Sequence, residues 1–111
     1  MYDVRHVLRK AGLRSTYSGY NYLASAVALV LKDQEFYLKN VTSNLYRVVG
    51  EPYGVSNMCV EAAIRTMINS YWNQNSNKIL SPLLGYPVFD KPTASEFISM
   101  LADYIQDHSS R

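Results

Sequence analysis

The sequence has a single cysteine, Cys59, so no internal disulfide can form. A chain without cystines fits a reducing compartment, and the cytoplasm is the expectation. One cysteine with no histidine nearby also makes no metal site. The two histidines, His6 and His108, stand at opposite ends of the chain with no carboxylate, serine or cysteine at motif spacing. No phosphate-binding glycine loop or catalytic dyad is visible, which removes the usual grounds for an enzyme or a cofactor. The longest apolar run, Tyr22 to Leu31, is interrupted by Ser25 and is too short to span a bilayer. Met1 is followed by charged residues rather than an apolar signal region, so no export signal is expected. There is no repeat, low-complexity tract or linker to divide the chain. Strong basicity is missing too: the net charge is +2, which permits nucleic-acid binding without arguing for it.

What is present is enough for one folded domain. The chain has 111 residues, 48% of them hydrophobic, sufficient for a real core. Ten tyrosines and one tryptophan point to amphipathic rings closing that core, with hydroxyls reaching water or backbone carbonyls. Charge is unevenly placed: Arg5, Arg9, Lys10 and Arg14 crowd the N-terminal fifth, while Asp103 and Asp107 lie near the C-terminus.

Helical spacing dominates the pattern. Val4 to Ala11 reads as a short helix capped by Asp3, with an apolar stripe of Val4, Val7 and Leu8, and Gly12 ends it. Ser18 is the expected cap of Gly19 to Lys32, whose Tyr22, Leu23, Ala26, Val27 and Val30 predict a central helix. Glu35 to Lys39 reads as a helical turn. Thr42 to Glu51 is a helix burying Leu45, Val48 and Val49. Within it Gly50 lowers helix propensity but admits a close neighbour, and Pro52 ends the helix or bends its last turn. Ser56 can cap the next helix. Its buried stripe is Val60, Ile64, Met67, Ile68 and Tyr71, with Asn57, Glu61, Arg65 and Asn69 expected on the opposite side. The polar run Asn73 to Asn77 ends it. Ile79 to Leu84 is a short helix and Pro87 to Pro92 a loop. Thr93, with Glu96 three residues on, forms a capping box for a last helix that turns Phe97, Ile98, Leu101, Tyr104 and Ile105 inward. No segment alternates as a strand. The expected fold is all-α, a compact bundle of about six helices.

Within it, the stretch LYRVVGEPYGVSNMCVEAAIRTMINSYW, residues 45–72, is a short helix, a glycine-containing break at Pro52-Tyr53-Gly54 and a longer helix. That is the pattern of a helix-turn-helix, whose second helix reads DNA in the major groove. On that helix Asn57, Met58, Glu61, Ala62 and Arg65 are the candidate base-reading residues. Glu61 can accept from a cytosine amino group and Ala62 can touch a thymine methyl; a solvated Glu61–Arg65 pair is the structural alternative. For Arg65, phosphate is the more frequent partner. Candidate phosphate contacts are Ser56, Lys78, Lys91 and Thr93; for Ser56 the contact would use the free amide hydrogens of a helix start. Cys59 reads as a small, half-exposed filler.

Four stretches give the chain a family likeness. Gly19-Tyr20-Asn21-Tyr22-Leu23 resembles a GYLYL opening of a second helix. Val60-Glu61-Ala62-Ala63-Ile64-Arg65 resembles VERAIR in a recognition helix, with Trp72 at the matching distance. Leu84-Gly85-Tyr86 and Lys91-Pro92-Thr93-Ala94-Ser95-Glu96-Phe97-Ile98 resemble FGY and KPTNSEFI. Together they resemble, over nearly the whole chain, the C-terminal effector domain of the stage-zero sporulation response regulator family. The resemblance implies a six-helix domain that binds double-stranded DNA through its fourth helix. It also implies pairing in tandem on adjacent sites, or as a homodimer on DNA, and contact with an RNA polymerase sigma factor. In that family a receiver domain precedes the effector. The sequence from Met1 corresponds to the effector alone, either as a free-standing module or as a portion of a longer parent. The recognition helix departs from the family's S-R-V-E-R-A-I-R: Cys59 and Ala62 stand where the family has arginines. The expected function is therefore DNA-binding transcriptional regulation with altered base reading. The alternative is a protein-interaction module of the same fold that has lost specific reading.

Overall fold

Every segment with helical periodicity is helical in the computed structural model, which describes residues 4–74 and 77–109, without the side chains at positions 18, 77 and 109. The elements are α1 Val4–Lys10, α2 Ser18–Lys32, α3 Gln34–Lys39, α4 Arg47–Gly50, α5 Asn57–Asn73, α6 Asn77–Leu84 and α7 Ala94–Ser109. A π-helical turn, Val41–Tyr46, leads into α4, and a 3₁₀ turn, Glu51–Tyr53, leaves it. Among the described residues there is no strand, and the all-α expectation holds. Asp3, and the 75–76 part of the polar run after α5, lie outside the described residues.

Several elements differ locally from expectation. Glu35 to Lys39, expected as a helical turn, belongs to a six-residue helix of its own, α3. The Asp33 carboxylate accepts the Phe36 amide hydrogen at 3.1 Å, so a new N-terminus is capped as soon as α2 ends. Thr42 to Glu51 is not one helix but three successive pitches. Side chains compete with the regular ladder there. Asn40 accepts from the Ser43 amide, and Asn44 donates to the Phe36 carbonyl at 3.0 Å. Pro52, without an amide hydrogen, falls in the closing 3₁₀ turn. Ser18 is the first helical residue of α2 rather than its cap; Tyr17 holds the N-cap position with extended backbone and no side-chain cap bond. Val48 is half-buried rather than buried.

The core forms where the apolar stripes converge. α2 runs through the centre, burying Tyr20, Leu23, Ala26, Val27 and Val30, and packs against α5 and α7. α5 buries Val60, Ile64, Met67, Ile68 and Tyr71, and α7 buries Phe97, Ile98, Leu101, Tyr104 and Ile105, as their spacing predicts. Gly50 admits the close neighbour expected of it: a Cβ there would lie 2.5 Å from the Val55 carbonyl oxygen and 3.2 Å from Val60 Cγ2. The break of the helix-turn-helix is thereby pressed onto its own second helix.

Tyrosine hydroxyls find carbonyls as expected. Tyr71 donates to Ala11 O and Tyr20 to Arg5 O. Burial pushes the Tyr71 phenol up to about 12. Tyr46 is also pushed up to about 12, by burial first and by the Glu61 carboxylate second. In the unfolded chain both phenols ionise near the ordinary value of about 10. The folded state therefore holds these protons longer, and their contribution to stability is complete below pH 10 and is lost as pH rises through 12. Urea midpoints measured from neutral pH upward should stay level to about pH 10 and then fall. Phenylalanine at both positions should flatten that fall.

Candidate nucleic-acid interface

The outer surface of α5 is decided by what its inner stripe excludes. An α-helix turns about 100° per residue, so side chains four apart drift by about 40° at each step. Asn57, Glu61, Arg65 and Asn69 therefore do not all lie opposite the core. Asn57 and Glu61 border the buried stripe and are half-buried, while Arg65 is exposed. The line facing most directly outward is Met58, Ala62, Arg65, Thr66 and Asn69. Met58, at its head, is 75% exposed.

The start of α5 is held from two sides. Ser56 Oγ accepts the Cys59 amide hydrogen at 3.2 Å, so Ser56 is a cap. Asn57 Nδ2 donates to the Thr42 carbonyl at 3.4 Å, tying the helix start to the π-helical turn. Arg65 forms an exposed ion pair with Glu61 one turn earlier, a type of pair that contributes only about 0.2–1 kcal/mol. Most of the five guanidinium donors of Arg65 remain available.

α5 stands between two open grooves. One, of about 500 Å³, separates it from the π-helical turn and the start of α7; Thr42, Asn57, Met58, Glu61, Arg65 and Thr93 line it. Lys91 joins Glu61, Arg65, Asn69 and Thr93 around an adjoining recess, and its ammonium donates to Asn69 Oδ1 at 2.6 Å. The other groove, of about 450 Å³, is mainly apolar and lies between α5 and the start of α2, bordered by Tyr17, Gly19, Cys59, Ala62, Ala63 and Thr66.

The fold thus gathers Asn57, Met58, Glu61, Ala62, Arg65, Lys91 and Thr93 on one surface, with Ser56 at its end. Lys78 does not join Lys91 there. It is exposed on α6, next to Ile79, whose Cδ1 would lie 3.3 Å from a Cβ at residue 12, beside the α1–α2 turn. Thr93 closes the capping box of α7: Glu96 N–H donates to Thr93 Oγ1 at 3.2 Å, and Thr93 N–H to Glu96 Oε1 at 2.8 Å. The Glu96 carboxylate already answers the positive end of that helix. Thr66 and Asn69 extend the outward line of α5 beyond the site residues named from sequence. Summing helical angles from the centre of the buried stripe would have found both. Tyr17 and Gly19 carry no such signal, because only the packing of α2 brings them alongside.

Among the described residues no group of three or more histidine, cysteine, aspartate or glutamate side chains could hold a metal ion. No described helix is long and apolar enough to cross a membrane. The family model described as "Sporulation initiation factor Spo0A C terminal" matches residues 4–105. That match covers all but the ends of a chain whose capped, half-exposed α5 follows a helix-turn-helix break. The chain therefore belongs to the Spo0A C-terminal family, whose members are DNA-binding effector domains of transcription regulators and not an enzyme family.

Proposed function

We propose that this domain is a sequence-specific regulator that lays α5 in the major groove of double-stranded DNA and reads a site different from its family's. The observation that carries this reading is the openness of α5: its outward line stands between two grooves, with Met58 and Arg65 exposed. Base contacts fall to Asn57, Met58, Glu61, Ala62 and Arg65. Ser56, Lys91 and Thr93 lie where phosphates would border that helix, and Lys78 reaches the backbone from α6. Met58 and Ala62 offer apolar contact to thymine methyls rather than the bidentate hydrogen bonds by which arginine selects guanine. Tandem pairing or a homodimer on DNA, and contact with a sigma factor, complete the reading, and the site of action is the cytoplasm.

A second reading has one observation in its favour. A methionine three-quarters exposed at the head of the outward line suits a protein-interaction surface as well as a DNA groove. Fluorescence-anisotropy titration against random duplexes at low salt, followed by sequencing of the bound pool, separates the two. The regulator reading expects binding and enrichment of a short motif. Absence of both leaves the interaction module.

A further inference from the structure

Residues 4–32 hold five cations, Arg5, Arg9, Lys10, Arg14 and Lys32, and not one carboxylate. Arg9, Lys10 and Arg14 are exposed. The ion pairs Arg47–Glu51 and Arg65–Glu61 involve none of these three. Arg9 and Lys10 occupy the last turn of α1, where cations favour the negative end of a helix. Arg14 lies beyond that end, in the turn between α1 and α2, and the dipole does not account for it.

The turn is fastened to α5. Tyr71 donates its hydroxyl hydrogen to Ala11 O. The hydroxyls of Tyr17 and Ser70 lie 3.3 Å apart, and Gln74 Nε2 donates to Tyr17 Oη at 3.4 Å. Those two side-chain hydrogen bonds, with a smaller contribution from the Arg14 charge, hold the Tyr17 phenol below its ordinary range. The turn is thus a basic segment pinned beside the C-terminal half of α5, with Ile79 of α6 packed next to its Gly12. It flanks the apolar groove, on the side away from the start of α7. Lys91 borders the opposite flank, bound to Asn69.

We propose that the α1–α2 turn is a second backbone clamp, in which Lys10 and Arg14 hold phosphates of the DNA strand on the flank of α5 opposite Lys91. This rests on α5 entering the major groove. A helix in a groove about 12 Å wide has a phosphate strand on either side, and a cation on each flank matches that geometry. Contacts of this kind position the protein and carry no sequence information.

The test is the salt dependence of binding. Each phosphate contact contributes about 0.9 to the slope of log affinity against log salt. Lys10→Gln combined with Arg14→Gln is titrated on a duplex enriched by the unaltered protein, between about 50 and 200 mM salt. The slope should become shallower by about 2, while the enriched motif stays the same. Tyr17→Phe, which keeps both charges and removes the pin to Ser70 and Gln74, should give part of that loss. Lys32→Gln, at the far end of α2, should give none. A double variant with the original slope overturns the clamp and leaves the α5 reading standing. A shifted motif also overturns it, since the turn would then be reading bases. Failure of the unaltered protein to bind any duplex at low salt overturns both readings together.

Discussion

Gly19→Ala is expected to destabilise the domain by about 1–3 kcal/mol, toward the upper end of the range for overpacked sites. A Cβ at residue 19 would sit 2.5 Å from the Ala63 carbonyl oxygen, 3.0 Å from Ala63 C and 3.2 Å from Ile64 Cα. All three are backbone atoms of α5, so no side-chain rotation relieves the contact. The helices must part, and the core they share, which includes Leu23, Val27, Ile64 and Met67, must loosen. Alanine does gain up to about 1 kcal/mol of helix propensity over glycine in a helix interior. The gain is smaller here, in the first turn of α2, and does not offset the clash. Urea unfolding should show a lower midpoint with an unchanged slope. A variant as stable as the original protein would mean that α2 and α5 do not cross this closely. Because Gly19 adjoins Tyr17, the same substitution should also weaken DNA binding by shifting the α1–α2 turn.

The second large effect is a gain. Cys59→Arg with Ala62→Arg should restore guanine selection, since these are the positions where the resembled recognition helix carries arginine. Cys59 is exposed and Ala62 half-buried on the outer side of α5, and the open groove beside them gives the longer side chains room. Each arginine that reaches guanine in bidentate fashion contributes about 1–3 kcal/mol of discrimination. The double variant should therefore prefer a duplex over its match lacking one of the guanines by about 5- to 140-fold, about 1.4 kcal/mol corresponding to each factor of ten. Anisotropy titrations against matched duplexes differing at single guanines give the readout. Equal tightening on every duplex would show the arginines meeting phosphates only, and α5 would then not enter the groove as proposed.

These two effects depend on the sequence in different ways. The chemistry of the second was legible at once, because Met58, Cys59, Ala62 and Arg65 lie in one short run and a helix places them by its own pitch. The first was not: nothing near Gly19 announces that Ala63 will lie against it. The same division runs through the fold. The Thr93–Glu96 capping box and the Ser56 cap were readable because each partner lies three residues from the other. The stripes of α5 and α7 were readable because burial follows helical spacing. The three pitches between Val41 and Tyr53 were not, since Asn44 reaches back to the Phe36 carbonyl and so competes with the local ladder. A four-residue spacing does not make one face of α5: accumulated rotation carries Asn57 and Glu61 toward the core, while Arg65 stays exposed.

By itself, the sequence determined that this chain is helical, where the Ser56 and Thr93–Glu96 caps fall, which side chains of α5 and α7 go inward, and which family it belongs to. Those properties are local, or are carried by contiguous motifs, and the backbone expresses them within a turn or two. Only the tertiary structure decided which flank of α5 meets Lys91, which meets the α1–α2 turn, and that Lys78 lies apart from Lys91. Such neighbours are set by the packing of remote helices, as Tyr17 and Ser70 show across 53 residues of chain, and no spacing rule reaches that far.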